Sequence, residues 1–582
     1  MRPSGLILPP LWRSLWLAAL ALGWLLPNHH RPWLSFHTDV WTAGVLFLGA
    51  AAVAWRTRGR PAWAWHALPL VVGLLVGLLW LQYALGGVHH AGTAWVNALY
   101  LLGFMLALLV GARWEAVAPG EMIDALCLAI GIAAVVSVGL QLREWLGIEG
   151  LELWVTGGGQ GRPHANFGQP NQLATFLLWG LLATAWGWLR GHIGARVAVV
   201  LAAYLVFGVA LTRSRTAWLG AGLLWGLAWY WRALWPHRRL PWVATALLVW
   251  LGVSLLMVSW LSGPLQGAGV TPAELAGAEY SRLGSEVRPL VWQALWQAAW
   301  QQPWAGYGWG QGLLAQIAVA ADQPHLQGAY PYAHNLFLDL VLWCGLPLGG
   351  LLSAGLLVWL WRRFRAVTRA DQAVLLLWLV VVGNHALLEL PLYHGYMLWP
   401  LGLVIGALQV RQAVRPVLWG AGWLVGLALA FAAVTGALVV RDYTQIEPAF
   451  QRQQLRWSGI RAEHPAETPS LWLLTQWRGY FDLARRTQEA PPERAAPMDG
   501  ATLDADRVTA SLFPNVMFMH TLAYTLAQQG QTEEAALWLQ RMCKIAPPPS
   551  CMQVQRYWEQ RLASQPGFSA VRERAWPVAG QP

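Results

Sequence analysis

Two apolar runs, WVATALLVWLGVSLLMVSWLS at residues 242–262 and NLFLDLVLWCGLPLGGLLSAGLLVWLW at residues 335–361, flank a polar stretch of roughly seventy residues that closes on Pro331-Tyr332-Ala333-His334-Asn335. Each run is long enough to carry a helix across the ~30 Å hydrocarbon core of a bilayer. The composition around them supports that reading. The chain of 582 residues is 56% hydrophobic and only 12% charged, with a mean hydropathy of +0.40, whereas a soluble domain carries about twice that charged fraction. The fold class is therefore all-α and polytopic, and the long polar excursion between two spans is where a membrane protein places its chemistry.

Working outward, apolar runs occur at about 9–27, 40–55, 66–85, 95–112, 122–142, 171–189, 196–212, 214–232, 242–262, 335–361, 372–390, 395–410 and 416–440. About thirteen transmembrane helices are expected. The first run is kept as a span, because Pro27-Asn28-His29 offers no small-residue cleavage site. Orientation follows from arginine, since Lys544 is the only lysine. Arg56, Arg58 and Arg60 follow the second run; Arg190 and Arg196 follow the sixth; Arg232, Arg238 and Arg239 follow the eighth; Arg362, Arg363, Arg365 and Arg369 follow the tenth; Arg411 and Arg415 follow the twelfth. Only the exit after the fourth run, with Arg113 among acids, breaks the pattern. The positive-inside rule then places these loops and the N-terminus in the cytoplasm. By parity, residues 143–170, the loop 262–334 and everything after Val440 fall on the far side. The net charge of +11 reads as a topology signal and gives no reason to expect nucleic acid.

Two domains are expected: 1–440, a transmembrane domain including the loop 262–334, and 441–582, a translocated α-helical domain. In the latter, Leu522 to Gly530, Glu534 to Leu539 and Pro547 resemble one tetratricopeptide helix pair, with Ala523 and Ala535 allowing close approach and Gly530 at the turn. One such pair cannot bury its own face, so helices near Ser470–Arg485 and Gln553–Ala563 are expected to cover it. Cys543 and Cys551 bracket a proline-rich turn on the oxidising side, where either a disulfide or two thiols fits. The fifteen histidines show no metal-ligand spacing, and His29-His30 and His89-His90 read as solvated or headgroup-facing.

Candidate chemistry lies in polar groups at the outer boundary. Gly161 to Gln172 (GRPHANFGQPNQ) sets the amides Asn166, Gln169, Asn171 and Gln172 on a turn-rich backbone ahead of the sixth run, suited to sugar hydroxyls or phosphate oxygens. Arg213 and Arg215 sit outside against the positive-inside bias and call for an anionic partner such as a lipid diphosphate; snorkelling to headgroups is the alternative. Two positions apart on a helix is about 200° of rotation, so both can face one ligand only if the turn is irregular. Arg288 opens an amphipathic stretch in which Val291, Trp292, Leu295, Trp296, Ala299 and Trp300 oppose Gln293, Gln297 and Gln301, as in an interfacial helix on membrane lipids. A glycine turn, Pro303 to Gly310, follows. His334 and Asn335 begin the tenth run with Asp339 one turn beyond. A histidine there can accept a proton from a hydroxyl, though an isolated histidine at a helix entrance is usually structural. Glu389 to Tyr396, including Tyr393, adds an outer polar knot.

The order of these motifs resembles the O-antigen ligase and polymerase superfamily: the Gly-x-Phe-x-x-x-Asn element, Arg-Ser-Arg, Arg288 with its Pro-Trp-Ala-Gly-Tyr-Gly turn, then Ala333 to Phe337 and Gly345 to Gly349. More narrowly, Asn166 to Gln172 and the helical tail resemble bacterial protein O-oligosaccharyltransferases of the PglL type. The resemblance implies a metal-independent transferase without cofactor at the periplasmic face of the inner membrane. It would move oligosaccharide from undecaprenyl diphosphate to hydroxyls of a periplasmic, pilin-like acceptor protein. It implies catalytic roles for His334, Arg288, Arg215 and Arg213, and donor or acceptor contacts from Asn166, Gln169, Asn171, Gln172, Asn335, Asp339 and Tyr393. Where many ligases carry a glutamate, two residues before the first glycine after the His-Asn start, this chain has Trp343, and Asp339 is the nearest acid. Lipopolysaccharide ligation and glycan polymerisation share donor and chemistry and stay open; a transporter or flippase stays open too, although the charges cluster at span ends and no internal repeat is evident.

Overall fold

The computed structural model describes residues 10–27, 29–59, 62–148, 162–267, 275–326, 328–460, 468–489, 498–562 and 566–576. The start of the first apolar run, Arg60, Gly161, residues 149–161 of the outer loop, residues 268–274 of the long loop and Ala563 lie outside the described residues.

A helix occupies each of the thirteen apolar runs, from Pro10–Gly23 to Gly422–Trp457. Among the described residues, eight are long and apolar enough to cross a membrane: Phe36–Arg56, Ala67–Ala84, Ala91–Val117, Glu121–Trp145, Pro170–Leu189, Leu240–Ser262, Leu336–Arg365 and Gly422–Trp457. The protein is a multi-pass membrane protein. The other five, Pro10–Gly23, Ala195–Leu211, Arg215–Tyr230, Ala370–Ala386 and Gly395–Arg411, have 14 to 17 residues. The only strands among the described residues, Trp63–Trp65 and Leu418–Gly420, pair antiparallel with Ala64 opposite Trp419.

The chain forms two compact units. The first comprises Met1–Val76, Leu99–Arg282 and Leu356–Gly436. Pro170–Leu189 is its central helix, apolar on every side and therefore buried by neighbours. Glu121–Trp145, Ala195–Leu211, Arg215–Tyr230 and Ala370–Ala386 pack around it. Small residues permit this approach, as usual between helices in lipid. A Cβ at Gly180 would stand 2.7 Å from that of Ala134, and one at Gly208 would stand 2.5 Å from a Val138 methyl.

The second unit comprises Gly77–Ala98, Leu283–Gly355 and Ala437–Pro582. Its organising feature is a break in the Leu336–Arg365 helix at Gly345 (φ 79°, ψ 166°), followed by Pro347. The groups the break frees are taken up by the glycine turn: Tyr307 N–H donates to Leu342 O and Leu346 N–H donates to Pro303 O, both at 2.7 Å. Irregular backbone within a membrane helix persists only where protein satisfies it. Gln82 and Gln311 complete the seal. Gln82 Nε2 donates to Trp343 O at 2.8 Å, and Gln311 Nε2 donates to Gly87 O at 2.6 Å. His89, expected in solvent, instead contacts Gln311 Oε1 through its backbone N–H and Nδ1.

The composition changes at Arg441, but the helix does not stop there. Gly422–Trp457 runs on for 36 residues, roughly 54 Å at 1.5 Å per residue, so nearly half of it extends beyond a ~30 Å core. Asp442, fully buried on this helix, accepts the backbone N–H groups of Trp472, Leu473 and Leu474 and ties down the chain that follows. Val516–Gln528 and Thr532–Ile545 form a packed hairpin around left-handed Gly530, with Ala523 and Ala535 both fully buried. Gln476–Glu489 and Pro566–Ala575 cover it. Cys543 and Cys551 are joined by a disulfide. Beside it, Leu326 N–H donates to Lys544 O at 2.8 Å and His325 Nε2 meets Ala546 O at 2.7 Å, so the tail is packed on the C-terminal part of the long loop.

Candidate active site

In the first unit, the amide-rich loop, the Arg-Ser-Arg turn and the outer knot meet at one end of the bundle. The loop is held by backbone contacts from its neighbours. Glu144 Oε2 accepts the N–H groups of His164 and Ala165 at 2.9 and 2.8 Å, and Ala165 takes a left-handed φ of 50°. Asn166 is 1% exposed, and its side chain is fully engaged: Oδ1 accepts from Ser137 Oγ, and Nδ2 donates to Trp24 O. His29, expected to face solvent or headgroups, reaches Asn166 O through Nε2 at 2.6 Å, and burial lowers its pKa. Asn166 therefore shapes the loop from below.

The remaining amides stand nearer the surface. Gln169, half-buried, is the residue before Pro170 at the helix start, and its side chain makes no hydrogen bond among the described residues. Asn171 uses both atoms: Oδ1 accepts from Arg162 Nη2 at 3.2 Å, and Nδ2 donates to Glu389 Oε1 at 2.9 Å. Gln172 is buried and its Nε2 donates to His394 Nε2. Burial, then the neighbouring His29 and His385, push His394 down to about 3, so its imidazole is neutral and has a lone pair for that bond. Tyr393 stands half-buried in the Pro391–Tyr393 turn.

The turn carrying the arginines is irregular. Ala195–Leu211 ends at buried Thr212, Arg213 takes φ 49°, and Ser214 caps Arg215–Tyr230 by accepting from Ala217 N–H at 3.3 Å. This removes the helical phase that would splay the two guanidiniums. Both are exposed, but they are not equivalent. Arg213 Nη2 donates to Ser262 Oγ at 3.1 Å, while Arg215 has no hydrogen bond or ion pair among the described residues.

In the second unit, His334 is held in a left-handed conformation, φ 53°, which costs a non-glycine residue on the order of 1–2 kcal/mol. The clamp is visible on the residue before it. Ala333 N–H donates to Asp339 Oδ1 at 2.8 Å, and Ala333 O accepts from Trp292 Nε1 at 2.7 Å. Asp339 is fully buried, and Asn335 Oδ1 caps the helix by accepting from Phe337 and Leu338 N–H. Both residues thus serve to place His334. Its ring stands edge-on to Tyr330, 6.0 Å between centroids. Burial, then the charge of Asp339, push Tyr332 up to about 12, so this phenol stays a neutral donor. Arg288 is half-buried four residues before Trp292 in Leu275–Gln301, on the helix face that meets the His334 loop.

The amphipathic stretch departs from the expected interfacial pattern. Val291, Leu295 and Ala299 are buried together with Ala294 and Ala298, while Trp296 and Trp300 stand exposed against each other. The apolar stripe is split because its small and branched members pack into the protein, Trp292 turns its indole N–H to Ala333 O, and Trp296 and Trp300 turn outward.

Sequence reasoning passed over Arg162, Glu144, Ser262 and Trp292. Arg162 and Glu389 lie inside the Gly161–Gln172 and Glu389–Tyr396 motifs, but nothing in the sequence marks Asn171 as the bridge between them. In the sequence Trp292 reads only as part of an apolar stripe. Among the described residues, no group of three or more His, Cys, Asp or Glu side chains could hold a metal ion.

Residues 163–188 match the family described as protein glycosylation ligase, residues 197–353 match O-antigen ligase, and residues 373–547 match virulence factor membrane-bound polymerase, C-terminal. The chain is 31% identical over 445 residues to a relative named General O-oligosaccharyltransferase from Acinetobacter baylyi, covering 73% of this chain and 74% of that one. It is 24% identical over 397 residues to a ComP-specific O-oligosaccharyltransferase from the same organism, covering 64% and 71%. The chain belongs to the bacterial O-oligosaccharyltransferases of the PglL type, within the O-antigen ligase superfamily.

Proposed function

We propose that the protein transfers an oligosaccharide en bloc from undecaprenyl diphosphate to serine or threonine hydroxyls of periplasmic, pilin-like proteins. The reaction takes place at the periplasmic face of the inner membrane. On this reading the chain has thirteen spans with the N-terminus inside, as the arginine distribution suggests, which leaves the tail outside, where its tetratricopeptide-like hairpin with covering helices offers a surface for acceptor protein. The observation that carries the reading is the exposed Arg215 guanidinium, without a partner among the described residues, on an irregular turn that adjoins the amide-rich loop. A guanidinium fork matches diphosphate oxygens.

The acceptor hydroxyl attacks the anomeric carbon, the bond from that carbon to the diphosphate oxygen breaks, and the electron pair leaves with the diphosphate. His334 takes the hydroxyl proton. Arg215 and Arg288 stabilise the charge that grows on the leaving group, and Arg213 braces the turn through Ser262. Gln169 and Tyr393 contact sugar hydroxyls. The diphosphate is already a good leaving group, so positioning and charge neutralisation are what the site must supply. Direct displacement inverts the anomeric centre; product analysis showing retention would refute that route.

The experiment is reconstitution of the purified protein with lipid-diphosphate oligosaccharide and, in separate reactions, a pilin-like protein or a lipid A core. Transfer to protein is expected. Transfer to lipid alone would replace this reading with the ligase one, and chain extension of the donor glycan would favour polymerisation, the alternative to which the 373–547 match lends weight. The transporter reading has lost its support, since the relatives are transferases.

A further inference from the structure

Four groups at the end of the helical bundle form a line. Glu389 is 4% exposed and accepts from Asn171 Nδ2 at 2.9 Å. Asn171 Oδ1 accepts from Arg162 Nη2 at 3.2 Å, and Arg162 Nε donates to Thr212 O at 2.9 Å. That carbonyl belongs to the peptide leading into Arg213, whose φ is 49°. The line joins the amide loop, the outer knot and the Arg-Ser-Arg turn.

Each member has a physical reason to be what it is. Thr212 O lies at the C-terminal end of Ala195–Leu211, where carbonyls lack intrahelical donors and the helix dipole is negative, so a cation is favoured there. Arg162 supplies that cation, and its fork leaves a second N–H for Asn171. Asn171 cannot flip, because its oxygen must face the guanidinium and its nitrogen the carboxylate. Glu389, buried beside it, fixes that sense. An aspartate at 171 would set two carboxylates against each other.

We propose that Glu389, Asn171 and Arg162 are positioning residues: they hold the Thr212–Arg213 peptide in its left-handed turn and so present Arg215 to the diphosphate of the donor. The proposal rests on the transfer reading above and adds to it a function for three groups. Donor recognition is then set by a residue on the 389 knot that need not touch donor at all.

Initial rates of the full-length protein in nanodiscs, with donor and acceptor varied in turn, test this, together with direct binding of the lipid diphosphate without acceptor. Glu389→Ala and Asn171→Asp should each raise the donor KM and weaken lipid-diphosphate binding about tenfold while the acceptor KM stays within about twofold. Glu389→Gln retains an oxygen for Asn171 Nδ2 and should recover most of the loss. Arg162→Lys combined with Glu389→Ala should be little worse than Arg162→Lys alone, since coupled groups are non-additive. Equal rises in both KM values, unchanged donor binding, or additive losses would overturn the relay. A thermal midpoint accompanies each variant; should Glu389→Ala unfold, the comparison of Asn171→Asp with Glu389→Gln decides. Failure of the wild type to transfer, with donor binding weakened as expected in the variants, would remove the transfer reading and leave the relay standing.

Discussion

At the scale of single residues, the backbone of His334 separates a placed group from an incidental one. Its left-handed φ is imposed by Asp339 and Trp292 acting on Ala333, and strain of this kind persists only where the surroundings over-determine it. His334→Ala and His334→Gly should both abolish transfer. Glycine should be the more stable of the two by about 1 kcal/mol, because it adopts φ > 0 without a Cβ penalty; thermal midpoints in detergent read the difference, and equal midpoints would mean the strain is absent. Arg288→Lys keeps the charge and loses the fork, so it should weaken donor use by about tenfold with little effect on acceptor KM. Residue types and their order were legible in the sequence: the two arginines, the amides and His334 all lie on loops or helix starts at span ends. What each side chain spends its atoms on was not, because Asn166 and Asn171 differ only in partners 9 to 218 positions away.

At the scale of elements, each long hydrophobic run holds a helix, since twenty apolar residues in a row permit little else in a bilayer, whereas the short apolar helix Gly312–Val319 inside the long loop is too brief to stand out. Run length could not find the break at Gly345, because Gly and Pro are ordinary in membrane helices. The break is fixed by close approach: a Cβ on Gly345 would lie 2.3 Å from Trp304 O, and one on Gly306 would lie 2.5 Å from Leu342 O. Gly345→Ala should therefore destabilise the protein by roughly 3 kcal/mol or more, and the Gly306→Ala, Gly345→Ala double variant should lose less than the sum, as expected of neighbours sharing one contact. Midpoint shifts check both. In the tail, burial pushes His520 down to about 4 and Asp506 up to about 6. The signs oppose. The folded state binds fewer protons than the unfolded at His520, so that contribution is present above about 6.5 and is lost as pH falls toward 4. At Asp506 the folded state binds more, so stability is gained as pH falls from about 6 toward 4. His520→Phe keeps an aromatic ring against Tyr557 and Trp558 and removes only the first effect. Hydrogen exchange of the Val516–Gln528 helix in the full-length protein should show variant and wild type diverging between pH 6.5 and 4, with the variant better protected; parallel curves would contradict the assignment.

At the scale of the whole molecule, the question is which helices cross. Helices of 14 to 17 residues rise only about 21–26 Å, short of the ~30 Å core, so length alone leaves eight spans. The hydrogen bonds of the first unit bear on this. Asn171 at the start of Pro170–Leu189 bonds to Glu389, which follows Ala370–Ala386, and Arg162 bonds to Thr212, which follows Ala195–Leu211. Arg162 precedes the Pro170–Leu189 span, Asn171 lies in its first turn, and Thr212 follows it. If Ala195–Leu211 did not cross back, Thr212 would lie on the opposite face from Arg162 and the 2.9 Å bond could not form. The same parity applies to Ala370–Ala386 and Glu389. These contacts support the crossing of both short helices, with the bilayer thinned or flanking arginines snorkelling to meet them. Cysteine labelling with a membrane-impermeant maleimide in intact cells lacking the outer membrane reads the result, and the background is low because Cys127 and Cys344 are buried and Cys543 is paired with Cys551. Arg215→Cys should label from outside, and Arg196→Cys, at the other end of Ala195–Leu211, only after permeabilisation. Labelling of both from one side would mean that Ala195–Leu211 does not cross, and the donor turn would then lie away from the amide loop with which it shares its bonds.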